Sequence, residues 1–123
     1  MQEELDKALD RCASLSPDVR ENGCRDLERL FLAGSAVAGV ELAHYVLSGS
    51  FVCGLGKAEA TDLLVREVRL SGNPSAFMHL YYYAGDLVSD ELMGELLTLA
   101  APNSAEAEEI LEARLPGWRH PQA

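Results

Sequence analysis

The chain predicts an all-α fold of about seven helices, stacked as antiparallel hairpins. Three observations predict it. Apolar residues recur at three- and four-residue spacing through most of the 123 residues. Helix-opening Ser, Asn and Pro and helix-closing Gly separate those stripes at regular intervals. No stretch alternates apolar and polar residues as a strand does. The pattern is clearest over residues 72–101, GNPSAFMHLYYYAGDLVSDELMGELLTLAA, which reads as a start signal, a helix, a turn and a second helix.

Residues 3–14 predict the first helix, with Leu5, Ala8, Leu9 and Cys12 on one face. Ser16 is expected to cap the second, with Pro17 in its first position and Asp18 in its first turn. Its stripe is Val19, Cys24, Leu27, Leu30 and Phe31, and Ala33 and Gly34 end it. Gly23 inside that stripe weakens the pattern. Ser35 caps a third helix, AVAGVELAHYVL, which is apolar nearly all round and therefore belongs between other helices. The connection SFVCGLGK follows, and its Phe51, Val52, Cys53 and Leu55 are expected to pack inward. Residues 57–70 predict a fourth helix on Ala60, Leu63, Leu64 and Val68, with Leu70 a further inward candidate.

Asn73 and Pro74 open the fifth helix, whose stripe is Ala76, Phe77, Leu80, Tyr81 and Ala84. Gly85 is expected to close it in a left-handed conformation. Ser89 caps the sixth, on Leu92, Met93, Leu96, Leu97 and Ala100, and Pro102 stops it. A connection of about four residues would force these two helices antiparallel. The seventh starts at Asn103 or Ser104, with Glu106 as capping-box partner of Asn103, and runs to Leu115. Residues 1–115 are thus expected to form a single helical domain, a helical pair over 1–33 followed by hairpins over 34–115. Residues 116–123 read as a tail, in which Trp118 either docks on the last helix or stands as an exposed anchor.

The bulk numbers narrow the function. No run of eighteen apolar residues occurs, so no membrane span is expected. The acidic N-terminus does not read as a secretory signal, so a cytoplasmic location is expected. Cys12, Cys24 and Cys53 are odd in number and widely spaced, which suits free thiols better than a disulfide framework or a zinc site. Twenty acidic residues against ten basic ones give a net charge of −10. Residues 70–113 carry eight acids and no Lys or Arg. Such a surface repels nucleic acid and anionic lipid and steers basic proteins toward it.

Chemistry is sparse. No GxSxG, HExxH, EF-hand or zinc spacing is present. Gly54, Gly56 and Lys57 fail as a phosphate loop, because Ala58 stands where Ser or Thr is needed and no strand precedes them. No catalytic residue, cofactor or metal ligand is expected. The carboxylates of Glu106, Glu108, Glu109 and Glu112 read as helix solvation, and Asp86, Asp90 and Glu91 as helix-start acids. Tyr81, Tyr82 and Tyr83 cover about 200° of a helix, so at least one ring must leave the core. Exposed Tyr is a favoured interface anchor.

An internal repeat adds to this. Ala38, Leu42, Ala43, Tyr45 and Gly49 are echoed by Ala76, Leu80, Tyr81, Tyr83 and Gly85, at offsets of 36–38 residues. With Asp90 and the closing Ala100 and Ala101, the pattern resembles the Sel1-like repeats, relatives of the tetratricopeptide repeats. It departs from them where Leu-Gly is expected and Leu42-Ala43 and Leu80-Tyr81 stand, and where Tyr45 and Tyr83 sit one residue early. The resemblance implies a short right-handed α-solenoid and a protein-interaction scaffold.

The expected function is therefore a non-enzymatic interaction module that binds a basic protein, for example a bacterial immunity or adaptor protein masking a toxin. The expected partner-binding residues are Tyr81, Tyr82, Asp86, Asp90, Glu91 and Glu95. An alternative is a ligand-binding domain or enzyme with a pocket near His79, Tyr82 and Asp86. Self-association through the third helix and residues 51–55 is a third reading.

Overall fold

Each amphipathic helix must bury one stripe, and the chain does so in two compact units, residues 1–57 and 58–123. The computed structural model describes residues 2–114. Among the described residues seven α-helices form and there is no strand. The first unit holds α1 (Gln2–Cys12), α2 (Pro17–Leu32) and α3 (Ala36–Leu47). The second holds α4 (Lys57–Ser71, whose first residue lies at the division), α5 (Pro74–Tyr83), α6 (Asp90–Ala100), a 3-10 turn (Ala101–Asn103) and α7 (Ala105–Arg114). Leu115 and the tail with Trp118 lie outside the described residues.

In the first unit α1 and α2 run antiparallel. Glu4, early in α1, meets Arg29, late in α2, at 3.3 Å, while Arg11 pairs with Asp26 nearer the turn. Leu5, Ala8 and Cys12 bury against Cys24, Leu27 and Leu30. Gly23 is the reason they fit. A Cβ there would stand 2.7 Å from the Cys12 amide nitrogen and 2.9 Å from the Ala8 carbonyl. The glycine that weakens the helix pattern is therefore the point of closest backbone approach.

Several first-unit expectations change. Ser16 makes no side-chain cap; its own amide instead donates to the Ser14 hydroxyl at 3.1 Å. Val19 is 37% exposed, at the edge of the buried face in the first turn of α2. Ser35 does cap α3, accepting from the Ala38 amide at 3.2 Å. Ala38, Leu42 and Ala43 are fully buried, and α3 packs on α2. In the connection Phe51, Cys53 and Leu55 are half-buried, but Val52 projects into solvent at 91% exposure.

In the second unit α4 buries Ala60, Leu63, Leu64 and Val68. Leu70 points outward, because it follows buried Val68 by two residues, about 200° round α4. Gly72 has φ of +63°, and a Cβ on it would stand 2.6 Å from the Leu99 carbonyl oxygen. Asn103 donates its side-chain N–H to the Gly72 carbonyl at 3.0 Å. Asn103 is thus spent on this corner, and Ser104 caps α7 instead, accepting from the Ala107 amide at 3.2 Å.

Asn73 caps α5, accepting from the Ala76 amide at 3.1 Å, and Ser89 caps α6 through the Leu92 amide at 3.1 Å. Left-handed backbone occurs at Gly34, Gly49 and Gly72, and Gly85 does not adopt it. The α5 helix ends at Ala84, whose amide bonds the Leu80 carbonyl at 2.9 Å, and the connection to α6 spans Ala84–Ser89, longer than expected. Val88 in that connection is buried and ties the longer loop to the unit. The α5 and α6 helices pack on each other, as do α6 and α7.

Gly72→Ala carries both a left-handed penalty and a backbone clash, so it should cost about 3 kcal/mol in urea unfolding of the full chain. Gly49→Ala, with φ of +79° but open space around it, should cost about 1 kcal/mol. Equal losses would show that the contact at Gly72 is not tight.

Candidate protein-binding groove

The second unit holds a groove between the C-terminal end of α5 and one face of α7. Buried Ala107 and Leu111 turn α7 against its unit, so Glu106, Glu109, Ile110 and Ala113, at helical spacing, share another face. Tyr81 and Tyr82 stand opposite them, and the six residues enclose about 430 Å³ of open groove. Phe77, fully buried, anchors the aromatic run: its ring stacks on Tyr81 with centroids 5.9 Å apart. Tyr81 in turn meets Tyr82 edge-on at 5.3 Å. Tyr82 is 61% exposed, as the helical spacing of three consecutive tyrosines requires.

The Tyr82 hydroxyl donates to Glu106 Oε2 at 3.3 Å. The Glu106 charge beside it holds the phenol above its ordinary range, with partial desolvation adding to the effect. Among the described residues no cation pairs with Glu106 or Glu109. The groove thus offers aromatic faces, carboxylates and a short apolar strip formed by Ile110 and Ala113.

The residues expected to bind a partner are not all in one place. Tyr81 and Tyr82 line the groove. Asp86 is exposed in the loop after α5, and Asp90 and Glu91 are exposed in the first turn of α6. Glu95 is held by Arg69, Nε to Oε2 at 2.9 Å and Nη2 to Oε1 at 3.2 Å. This fork keeps the Glu95 carboxyl below the usual range and the Arg69 guanidinium above its own. Its charge is already matched inside the unit. The groove carboxylates Glu106 and Glu109 and the apolar Ile110 were absent from the expected set, although their spacing in α7 signals a shared face. Of the trio His79, Tyr82 and Asp86, Tyr82 alone lines this groove.

A smaller cavity of about 240 Å³ in the first unit is lined by Pro17, Arg20, Glu21, Cys24, Tyr45 and Ser50. Its reactive groups are poorly activated. Burial pushes the Cys24 thiol up to about 12 and the Tyr45 phenol up to about 12. Burial also raises Cys12 and Cys53. The thiolate, not the thiol, is the nucleophile, so Cys24 is a poor one at neutral pH.

No family model, curated protein or solved structure matches the chain.

Glu106→Gln removes the charge that holds the Tyr82 proton. The Tyr82 phenol should then titrate at lower pH, followed by ring ¹³C chemical shifts, and an unmoved titration would show that Glu106 does not face it. Cys24 and Tyr45 have folded pKa values raised above their unfolded ones. They therefore contribute stability that is full below about pH 9 and is lost as pH rises toward about 12. Cys24→Ala should flatten that alkaline loss in denaturant titrations, and an unchanged slope would contradict the burial of the thiol.

Proposed function

We propose that the chain is a non-enzymatic protein-interaction module that binds a basic partner through the acidic, Tyr-bearing side of its second unit. The groove of Tyr81, Tyr82, Glu106 and Glu109 carries the proposal. Exposed aromatic rings beside carboxylates with no local cation match the composition of a surface that receives Arg- or Lys-bearing protein. Asp86, Asp90 and Glu91 extend the same sign of charge beyond the groove. No base lies between residues 70 and 113, and of the acids there Glu95 is matched by Arg69 of α4 while Glu106 and Glu109, among the described residues, are not. The helical hairpins fit a Sel1-like or tetratricopeptide-type scaffold of the kind that presents such surfaces. A cytoplasmic adaptor or a bacterial immunity protein that masks a basic toxin is the concrete form of this reading.

The test is capture by the tagged full chain at rising salt. The wild-type chain should retain a basic protein at low salt and release it as the Debye length shrinks. Glu106→Lys with Glu109→Lys should abolish capture, while Glu3→Lys with Glu4→Lys, on α1, should leave it intact. Capture that is indifferent to salt, or lost equally in both pairs, would refute the reading.

A further inference from the structure

We propose that the groove is an arginine site. It takes one exposed Arg side chain from a basic segment of the partner, with the guanidinium over the Tyr82 ring and its N–H donors on Glu106 and Glu109. This rests on the protein-binding reading above and names the chemistry that the groove selects.

Three features select Arg. A flat, weakly hydrated cation is attracted to an exposed aromatic face, and guanidinium stacks there better than ammonium does. Tyr82 is the exposed ring, and its orientation is fixed at both ends, by its edge-on contact with Tyr81 and by its hydroxyl on Glu106 Oε2. That hydrogen bond uses one oxygen of Glu106 and holds the carboxylate beside the ring. The second oxygen and the Glu109 carboxylate, one helical turn on, remain to accept a forked donor. A point-like ammonium satisfies one such acceptor well, whereas a planar fork spans two. Ile110 and Ala113 continue the same face and give the methylene stem of Arg an apolar surface to lie on. Charge complementarity then disfavours an acidic or neutral occupant.

The test titrates the full chain with three capped peptides, followed by calorimetry and by backbone amide shifts. One carries two arginines and two leucines at helical spacing, one has lysine at both arginine positions, and one has neutral citrulline there. The arginine peptide should bind about tenfold more tightly than the citrulline peptide and about threefold more tightly than the lysine peptide. Its shifts should centre on residues 81–82 and 106–113. Tyr82→Phe keeps the ring but loses the hydroxyl that holds Glu106, so it should weaken binding less than Tyr82→Ala, whereas Tyr82→Ala and Glu109→Gln should each weaken it about fivefold. Both side chains are exposed, and a thermal melt of each variant checks that folding is unchanged. Equal binding of the arginine and citrulline peptides, shifts elsewhere, or no shifts up to millimolar peptide overturns the arginine site. If the salt-sensitive partner of the capture experiment is still found in that case, the acidic interaction surface stands without it. If the chain instead self-associates and Glu109→Gln abolishes the self-association, a second copy fills the groove, through a residue such as exposed Arg66, and the partner assignment is wrong.

Discussion

The second unit depends on a backbone contact with no side chain in it. At Gly72 the corner between α4 and α5 lies against the Leu99 carbonyl at the end of α6, closer than any Cβ allows. Asn103 bonds across the same junction to the Gly72 carbonyl. Both walls of the groove leave from here. The α5 helix starts two residues after Gly72, and α7 starts two residues after Asn103. Fixing this corner therefore fixes where Tyr82 and Glu106 can meet. In the first unit Gly23 has the equivalent part, bringing α1 and α2 together at Cys12 and Ala8.

The groove works through an imbalance of charge. Where a carboxylate has a basic neighbour, as Glu95 has Arg69, its field is largely spent within the unit. Glu106 and Glu109 have no such neighbour among the described residues, and the effect is visible locally in the Tyr82 phenol. At physiological salt such a field reaches about 8 Å beyond the surface. It thus acts on the approach of a partner and then at close contact, while the rings and Ile110 supply the area that water must leave. The thiols of the first unit contrast with this. Burial suppresses their chemistry and leaves them as packing.

Local signals carried most of the fold. The Ser35, Asn73 and Ser89 caps form as expected because a cap depends on three or four adjacent residues. The stripes of α4 and α6 mostly bury as their spacing requires, with Leu92 half-buried and Leu70 exposed. One misreading concerns a residue whose partner is distant in sequence. Asn103 has the composition of a cap but bonds a carbonyl 31 residues away. Gly85 has the composition of a helix stop, yet the left-handed glycines are Gly34, Gly49 and Gly72. The site divides in the same way. An outward Tyr was legible from three consecutive rings on one helix, and the shared face of α7 was legible from its spacing. That the two face each other was not, because nothing in either stretch refers to the other.

The most direct test is the distance between those two stretches. Nuclear Overhauser spectra of the isotope-labelled chain should show cross-peaks from the Tyr82 ring protons to the Glu106 side chain, weakened when Asn103→Ala loosens the corner at Gly72. Strong cross-peaks from Tyr82 to its own helix alone, with none to α7, would contradict the groove and every role assigned to it.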